Sequence, residues 1–393
     1  LLMYQSIALI PISDNFFRFS NILFNISGEC PSHLVTSATI LSGCFDLYDF
    51  VGLPGNFLSV TLGSSSNSPV GSTTLVIQKF ICYNQKGKRK NSFYINERGS
   101  NILKFTKMHG TGNDYIYVDC TKSTLDNPSK IAVKVSDRHF GIGSDGLILI
   151  KKSDRADFFM EMYNADGSEG KMCGNGIRCV GKYVYEHHLT KKTEITIDTL
   201  SGIKMLRLFI DDSGNVKNVS VDMGAPILEP KNIPVAANLF KISNEDTNPI
   251  LLKSLMVGDR EYKVSCVSVG NPHVVLYLDK EMDIKELDIE KIGPLFEKHE
   301  AFPEGINTEF IQVVDEKNLN MRVWERGSGE TFACGTGACA SAVATILNGL
   351  CDDCVTVHLL GGDLKVTWDR EKNTVIMEGS AQTICEGEYY END

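Results

Sequence analysis

Two short stretches decide how this chain is read: Met172-Cys173-Gly174-Asn175-Gly176-Ile177-Arg178-Cys179, and Ala333-Cys334-Gly335-Thr336-Gly337-Ala338-Cys339. Each has the form Cys-Gly-x-Gly followed by an apolar run. Each also follows a polar loop, Asp166-Gly167-Ser168-Glu169 in the first case and Glu325-Arg326-Gly327-Ser328-Gly329-Glu330 in the second. The two cysteines lie 161 residues apart, about one domain. A fixed order of strand, polar loop, Cys-Gly-x-Gly and helix that occurs twice is an internal repeat. The chain should therefore contain two similar halves, each offering one thiol at a helix start.

Outward from these motifs the periodicity supports the repeat. Ile177, Val180 and Val184 fall at helical spacing, which predicts a helix over 174–188. A second helix, small and apolar, is predicted over 335–348 and should pack closely against a surrounding sheet. Extended runs are expected at 104–108, 115–119, 146–151, 157–163, 193–198, 203–210 and 216–222. In the second half they are expected at 263–269, 273–278, 308–314, 320–325, 355–359, 364–368 and 374–378. A helix is expected over 127–138, with Pro128 tolerated in its first turn, and residues 226–250 read as loop. Many strands around one helix, twice over, predict an α+β fold of two pseudo-symmetric halves, each a mainly antiparallel sheet or barrel wrapped around a central helix.

The expected domains are an N-terminal extension over 1–102, a first half over 103–222 completed by 380–393, and a second half over 223–379. The extension differs in composition. Its first hundred residues hold fifteen serines and only five acidic residues against seven Lys/Arg, with the basic run Lys86-Gly87-Lys88-Arg89-Lys90. It reads as a transit-like or non-native segment, or as a small accessory domain.

The formal net charge of −11 argues against a nucleic-acid partner. No apolar run reaches the roughly 18 residues of a spanning helix, so no membrane partner is expected. Twelve cysteines in 393 residues are too few for a disulfide scaffold and point to working thiols in a reducing compartment. The expected location is the cytoplasm, or a plastid or other organelle if residues 1–100 are a transit segment. Cys120, Cys266 and Cys385 read as small buried hydrophobes. Cys173/Cys179, Cys334/Cys339 and Cys351/Cys354 offer an alternative reading as zinc ligands or a redox dithiol. Only the last pair has Cys-x-x-Cys spacing, without a second pair to complete a site. No metal is expected.

A cysteine in the first turn of a helix faces unsatisfied N–H groups and the positive end of the dipole, which favours thiolate. The following glycines let backbone approach a ligand, and the same N–H groups can hold a carboxylate. Two such motifs face to face supply a base on one side of a carbon and an acid on the other. That suits inversion at the α-carbon of an amino acid, with charge developing on the carboxylate where the helix amides point. The scheme calls for no cofactor.

Seven stretches then carry a family resemblance: 105–114 (Phe-Thr-Lys-Met-His-Gly-Thr-Gly-Asn-Asp), 164–169, 172–179, Gly270-Asn271-Pro272-His273, 305–310 (Gly-Ile-Asn-Thr-Glu-Phe), Glu325-Arg326-Gly327 and 333–339. In this order they resemble the diaminopimelate epimerases over residues 104–390. The resemblance implies conversion of LL- to meso-diaminopimelate late in lysine and peptidoglycan-precursor synthesis, without pyridoxal phosphate, and a possible homodimer. It implies Cys173 and Cys334 as the acid/base pair, with His273 and Glu325 tuning them. It implies Gly174, Asn175, Gly335 and Thr336 on the reacting carboxylate, and Asn113, Asn164, Asn271, Asn307 and Arg326 on the distal end of the substrate. It also implies that the last strand returns to the first half. Many members carry Gln after Gly-x-Asp, where Gly143-Ser144-Asp145 is followed here by Gly146. A proline or hydroxyproline racemase is disfavoured because Asn175 replaces the His expected there and Arg326 suits a second carboxylate. A non-enzymatic binding module on this scaffold should have lost a thiol, and both are present.

Overall fold

The computed structural model describes residues 102–243 and 245–390, in the second of the chain's two compact units, Ile95–Asp393, and within the first, Leu1–Tyr94, only the backbone of the strands Gln5–Ser6, Ile22–Asn25, Thr39–Ile40, Asp46–Leu53, Phe57–Gly63 and Thr73–Ile77. The reading of residues 1–102 as an extension falls, those strands and Ile102 apart, outside the described residues.

The second unit opens with strands β1 (Ile102–Gly110) and β2 (Asn113–Asp119), helix α1 (Pro128–Ser136), β3 (Gly146–Lys151), β4 (Phe158–Asn164), the two-residue β5 (Glu169–Gly170) and helix α2 (Gly174–Glu186). Strands β6 (Glu194–Asp198), β7 (Lys204–Ile210) and β8 (Val216–Gly224) follow. After two short 3-10 turns the second series runs β9 (Lys253–Val257), β10 (Arg260–Ser268), β11 (Pro272–Tyr277), α3 (Ile289–Glu297), β12 (Asn307–Asp315), β13 (Asn318–Glu325), β14 (Gly329–Glu330) and α4 (Gly335–Leu347). It closes with β15 (Cys354–Leu359), β16 (Gly362–Asp369), β17 (Thr374–Ser380) and β18 (Gln382–Tyr390).

The pairings repeat strand for strand. β1–β2 is antiparallel, β2–β3 parallel, β3–β4 antiparallel, β4–β6 parallel, and β6–β7 and β7–β8 antiparallel. β10–β11, β11–β12, β12–β13, β13–β15, β15–β16 and β16–β17 follow with the same senses. The two sets join where β8 pairs antiparallel with β17. The flanking strand of the second set is β9, which precedes β10 in the chain. Its counterpart on β1 is β18, which arrives from the far end of the sequence.

Each set wraps one helix. α2 packs on β1, β2, β7 and β8, and α4 on β10–β12 and β15–β17. Small side chains make this possible in α4, where Gly337 to Ile346 are all buried and backbone can approach the sheet on every side. The two helices touch each other at their starts, where Gly174 and Gly335 both abut Met377 of β17. An added Cβ at either glycine would come within about 3.1 Å of that methionine, so glycine is what brings the two helix starts together.

Helices α1, α2 and α4 and most strands match the sequence expectation. Besides the two-residue strands β5 and β14, which lie in stretches read as polar loops, three elements escaped it. Strand β9 was not expected at all. Strand β18 was foreseen only through the family resemblance, since its side chains are largely exposed and give no core pattern. Helix α3, which contains Gly293 and Pro294, was not expected either. The glycine is required because a Cβ there would lie 2.4 Å from the Trp324 ring. Cys120 and Cys266 are buried as expected, but Cys385 is exposed on β18, where Gln382 to Glu386 all face solvent.

Candidate active site

Both motif cysteines are helix N-caps. Cys173 holds extended backbone (φ −124°) and its Sγ accepts the Gly176 amide at 3.3 Å. Cys334 does the same (φ −111°) with the Gly337 amide, also at 3.3 Å. Oxygen caps are the stabilising ones, worth about 1 kcal/mol. Sulfur is a weak acceptor, so these caps place thiols at helix starts more than they strengthen helices.

The surroundings of the two thiols differ at equivalent positions. In strand register Asn113 and Tyr115 of β2 stand where Asn271 and His273 stand in β11. Ile148 of β3 stands where Glu309 stands in β12, and each faces the second glycine of its motif, Gly176 or Gly337. Asn164 of β4 corresponds to Glu325 of β13. At the three of these positions where the residues differ, Cys173 therefore has neutral groups where Cys334 has two carboxyls and an imidazole, although Arg178 and Glu325 also act on Cys173.

Around Cys173, the thiol donates to Asn113 Oδ1 at 3.1 Å. The orientation of that amide is fixed because its Nδ2 donates to Asp145 Oδ2 at 2.8 Å. Tyr115 is buried close by, and burial, then Cys173, push its phenol up. Around Cys334, the hydroxyl of Thr336 lies 3.5 Å from Sγ. His273 and Glu309 are fully buried and bonded through Nδ1 and Oε1 at 2.7 Å. His273 Nε2 meets Asn271 Oδ1 at 3.0 Å. Glu325 accepts from Thr331 Oγ1 at 2.5 Å, and both His273 and Cys334 act on its carboxyl. The His273, Glu309 and Cys334 donor atoms lie within 4.8 Å of one another, the one such group among the described residues that could hold a metal ion.

The expected thiolate bias of the helix starts is outweighed. Burial pushes the Cys173 thiol up, against the downward pull of the Gly176 and Asn175 amides and of Arg178. Burial pushes Cys334 up further, reinforced by Glu325 and Glu309, against Thr336 and the Gly337 amide. The same desolvation raises the carboxyls of Glu325 and Glu309. Dipole and caps are first-turn effects; removal from water acts on the whole group and wins here.

The residues expected at the distal end of the substrate are spread more widely. Asn307 is buried and holds its neighbourhood together, accepting from the Arg326 amide at 2.8 Å and donating to Pro272 O at 3.2 Å. The Arg326 guanidinium is exposed, bonded to Glu304 O at 2.7 Å, and makes no ion pair among the described residues. Asn164 donates to Ser168 Oγ at 3.0 Å. Asn113 and Asn271 instead serve Cys173 and His273 directly. Asn175 is buried and its Nδ2 donates across the halves to Ala333 O at 3.0 Å. Gly146 has no room for a side chain: a Cβ would fall 2.1 Å from Tyr163 O, so Gln at this place needs a different backbone.

Three residues were missed. Glu309 lies inside a quoted motif, and a carboxylate in the apolar strand Phe310-Ile311 was the available signal. Arg178 was likewise visible between Ile177 and Cys179 of a buried helix stripe. Tyr115 carried no signal of its own.

A sequence model described as diaminopimelate epimerase matches residues 105–229 and 265–384. The diaminopimelate epimerase of Acetivibrio thermocellus is 55% identical over 286 residues, covering 73% of this chain and 98% of that protein. That of Agathobacter rectalis is 52% identical, covering 73% and 99%. Solved structures give the same fold at low identity. A Bacillus anthracis phenazine biosynthesis protein of the PhzF family has a TM-score of 0.51 at 18% identity, covering 74% of this chain and 99% of that one. A hydroxyproline epimerase from Agrobacterium vitis has a TM-score of 0.51 at 13% identity, covering 74% and 91%. With the family match spanning both thiol motifs, the chain belongs to the diaminopimelate epimerase family.

Proposed function

We propose that this chain interconverts LL- and meso-2,6-diaminopimelate by a two-base inversion that uses Cys173 and Cys334 and needs no pyridoxal phosphate. The observation that carries this reading is the pair of N-cap thiols at touching helix starts. Names borne by relatives at about half identity over almost their whole length support the substrate.

The chemistry follows from the asymmetry of the two thiols. Cys173 is the protonated partner, since its S–H faces a carbonyl oxygen whose orientation Asp145 fixes. Burial and the carboxyls of Glu325 and Glu309 hold the Cys334 proton more firmly than the Cys173 one, so Cys334 becomes a base only by passing that proton to Glu325 or to the His273–Glu309 pair. One proton is then shared among these groups, which titrate together. Cys334 as thiolate takes the α-proton, the electron pair moves into the carboxylate, and Cys173 returns a proton to the opposite face. The Gly174, Asn175, Gly335 and Thr336 amides hold the carboxylate as it gains charge. Turnover leaves the charge on Cys173 and the α-proton on Cys334. Once product has left, proton exchange with solvent returns a proton to Cys173 and takes one from the Cys334 cluster, which resets the enzyme for the next forward cycle.

The halves 103–222 with 380–393 and 223–379 are the units that bring the two thiols together, a division supported by β18 pairing with β1. Chemistry by free thiols suits a reducing compartment such as the cytoplasm. Among the described residues no helix is long and apolar enough to cross a membrane.

In deuterated water, both diastereomers should take up deuterium at the α-carbon during turnover, without added pyridoxal phosphate. Mass spectrometry of recovered substrate and product measures this. Product free of deuterium would refute a two-base path through exchangeable thiols. Arg326 should grip the distal carboxylate as a bidentate fork. Arg326→Lys should raise KM about tenfold to a hundredfold, the size of one charge-assisted pair, with little change in kcat. Steady-state kinetics that show an unchanged KM would remove Arg326 from the binding site.

A further inference from the structure

Arg178 is the largest fully buried side chain in the described structure, and it has no anionic partner there. Its NH1 donates to Gly174 O at 3.2 Å and Asn175 Oδ1 at 3.0 Å, its NH2 to Thr111 Oγ1 at 3.2 Å, and its Nε to Ser380 O at 3.3 Å. Met377 Sδ lies 3.8 Å from NH1. Every one of these acceptors is neutral. The titratable groups that act on it are Cys173 and Cys179 of its own helix, Tyr117 of β2 and Cys339 of α4, all uncharged at neutral pH when protonated. Burying a guanidinium among neutral acceptors is costly, because lost hydration is not recovered by an opposite charge.

The second half does without it. Counting from the two N-cap cysteines, Arg178 corresponds to Cys339 in α4. That half surrounds its thiol with proton acceptors instead, at positions where the first half has Ile148, Tyr115 and Asn164. Cys173 has no comparable group to relieve it of charge, yet it must become a thiolate once it has given up its proton. We propose that Arg178 is a positioning residue whose fixed buried charge stabilises the Cys173 thiolate, acting through the first turn of α2 that it grips at Gly174 and Asn175. The inference rests on the two-thiol reading above, but its test does not need the substrate.

The test compares Arg178→Gln and Arg178→Lys in the full chain, with folding followed by circular dichroism. Iodoacetamide modification of Cys173, read by peptide mass spectrometry across pH, reports its thiolate. With glutamine the half-maximal pH should rise by at least one unit, so that modification below it slows about tenfold. With lysine it should stay near the wild-type value at neutral pH. A buried lysine loses its proton at lower pH than arginine, so the Arg178→Lys enzyme should also gain an alkaline loss of epimerase activity that the wild type lacks. An unshifted midpoint in folded Arg178→Gln overturns the proposal, as does an Arg178→Lys midpoint shifted as far as that of glutamine. If Arg178→Gln does not fold, the lysine variant decides: absence of the alkaline loss overturns the proposal. Should Cys173→Ala retain epimerase activity, the two-thiol reading falls while the iodoacetamide result still measures the charge.

Discussion

Cys173→Ala and Cys334→Ala should each lower the conversion of LL- to meso-diaminopimelate by about a thousandfold or more, near the upper range for one positioned acid or base. Each variant keeps one thiol and its helix start, so substrate can still bind. Inversion fails because one face of the α-carbon has no group to take or give the proton. The double variant should be little worse than either single one, since residues that act as a unit lose their effect together. Small cavities are the only structural cost, because cysteine and alanine differ by one atom. Chiral chromatography of the product against time measures the rate. Retention of a tenth of the activity in either single variant would rule out a scheme in which both thiols are required.

The two variants should differ in one respect. Losing Cys334 leaves Glu325 and the His273–Glu309 pair beside an empty place, and two neighbouring carboxyls can still exchange protons. Losing Cys173 leaves Asn113, Tyr115 and Ile148, none of which is a useful acid near neutral pH. Any residual exchange of the α-proton with solvent should therefore be larger in Cys334→Ala.

Much of this was legible in the sequence, for a physical reason. A helix that begins Cys-Gly-x-Gly and continues apolar must be buried, and two such helices need a sheet around each. Strands β3 and β15 to β17 alternate or run apolar enough to be read directly. What the sequence concealed depends on contacts across the fold. Strand β18 has little apolar side-chain area to bury and exists because β1 offers an open edge. Helix α3 carries a glycine and a proline that weaken its helical signal, and Gly293 is required only because Trp324 packs against it. The thiol environments were hidden for the same reason. The helix-start argument correctly put the Cys173 and Cys334 side chains against amide groups. It had no way to weigh desolvation, which depends on the Met377 and β-strand packing that surrounds them. The asymmetry between Ile148 and Glu309 also emerges only once the two halves are laid on one another strand by strand.

Glu309→Gln should cost about a hundredfold in activity and yet raise the melting temperature. Glutamine keeps a carbonyl oxygen for His273 Nδ1 and nearly the same volume. It removes the charge that lets the His273–Glu309 pair hold or release a proton beside Cys334. A loss near a hundredfold is the lower range for acid–base groups, which fits a residue that works through its neighbour. Stability moves the other way. Burial raises the Glu309 carboxyl above its ordinary value, with attraction to His273 only partly offsetting this. A raised folded pKa favours the protonated form, so this group's contribution is complete below the unfolded carboxyl pKa and is lost as pH rises through the folded one. At neutral pH the buried carboxylate therefore works against folding, and its second oxygen is buried without a hydrogen-bond partner among the described residues. Glutamine removes the charge, which is the larger part of that penalty, while its amide group takes over the unpartnered place. The gain should be small in acid and grow as pH rises past the carboxylate range, by about 2–4 °C for each kcal/mol recovered. Melting curves at several pH values, set beside the epimerase rate, test both halves of the claim. A variant that melts lower at neutral pH, or that turns over at the wild-type rate, would show that Glu309 is held there for packing and not for its charge.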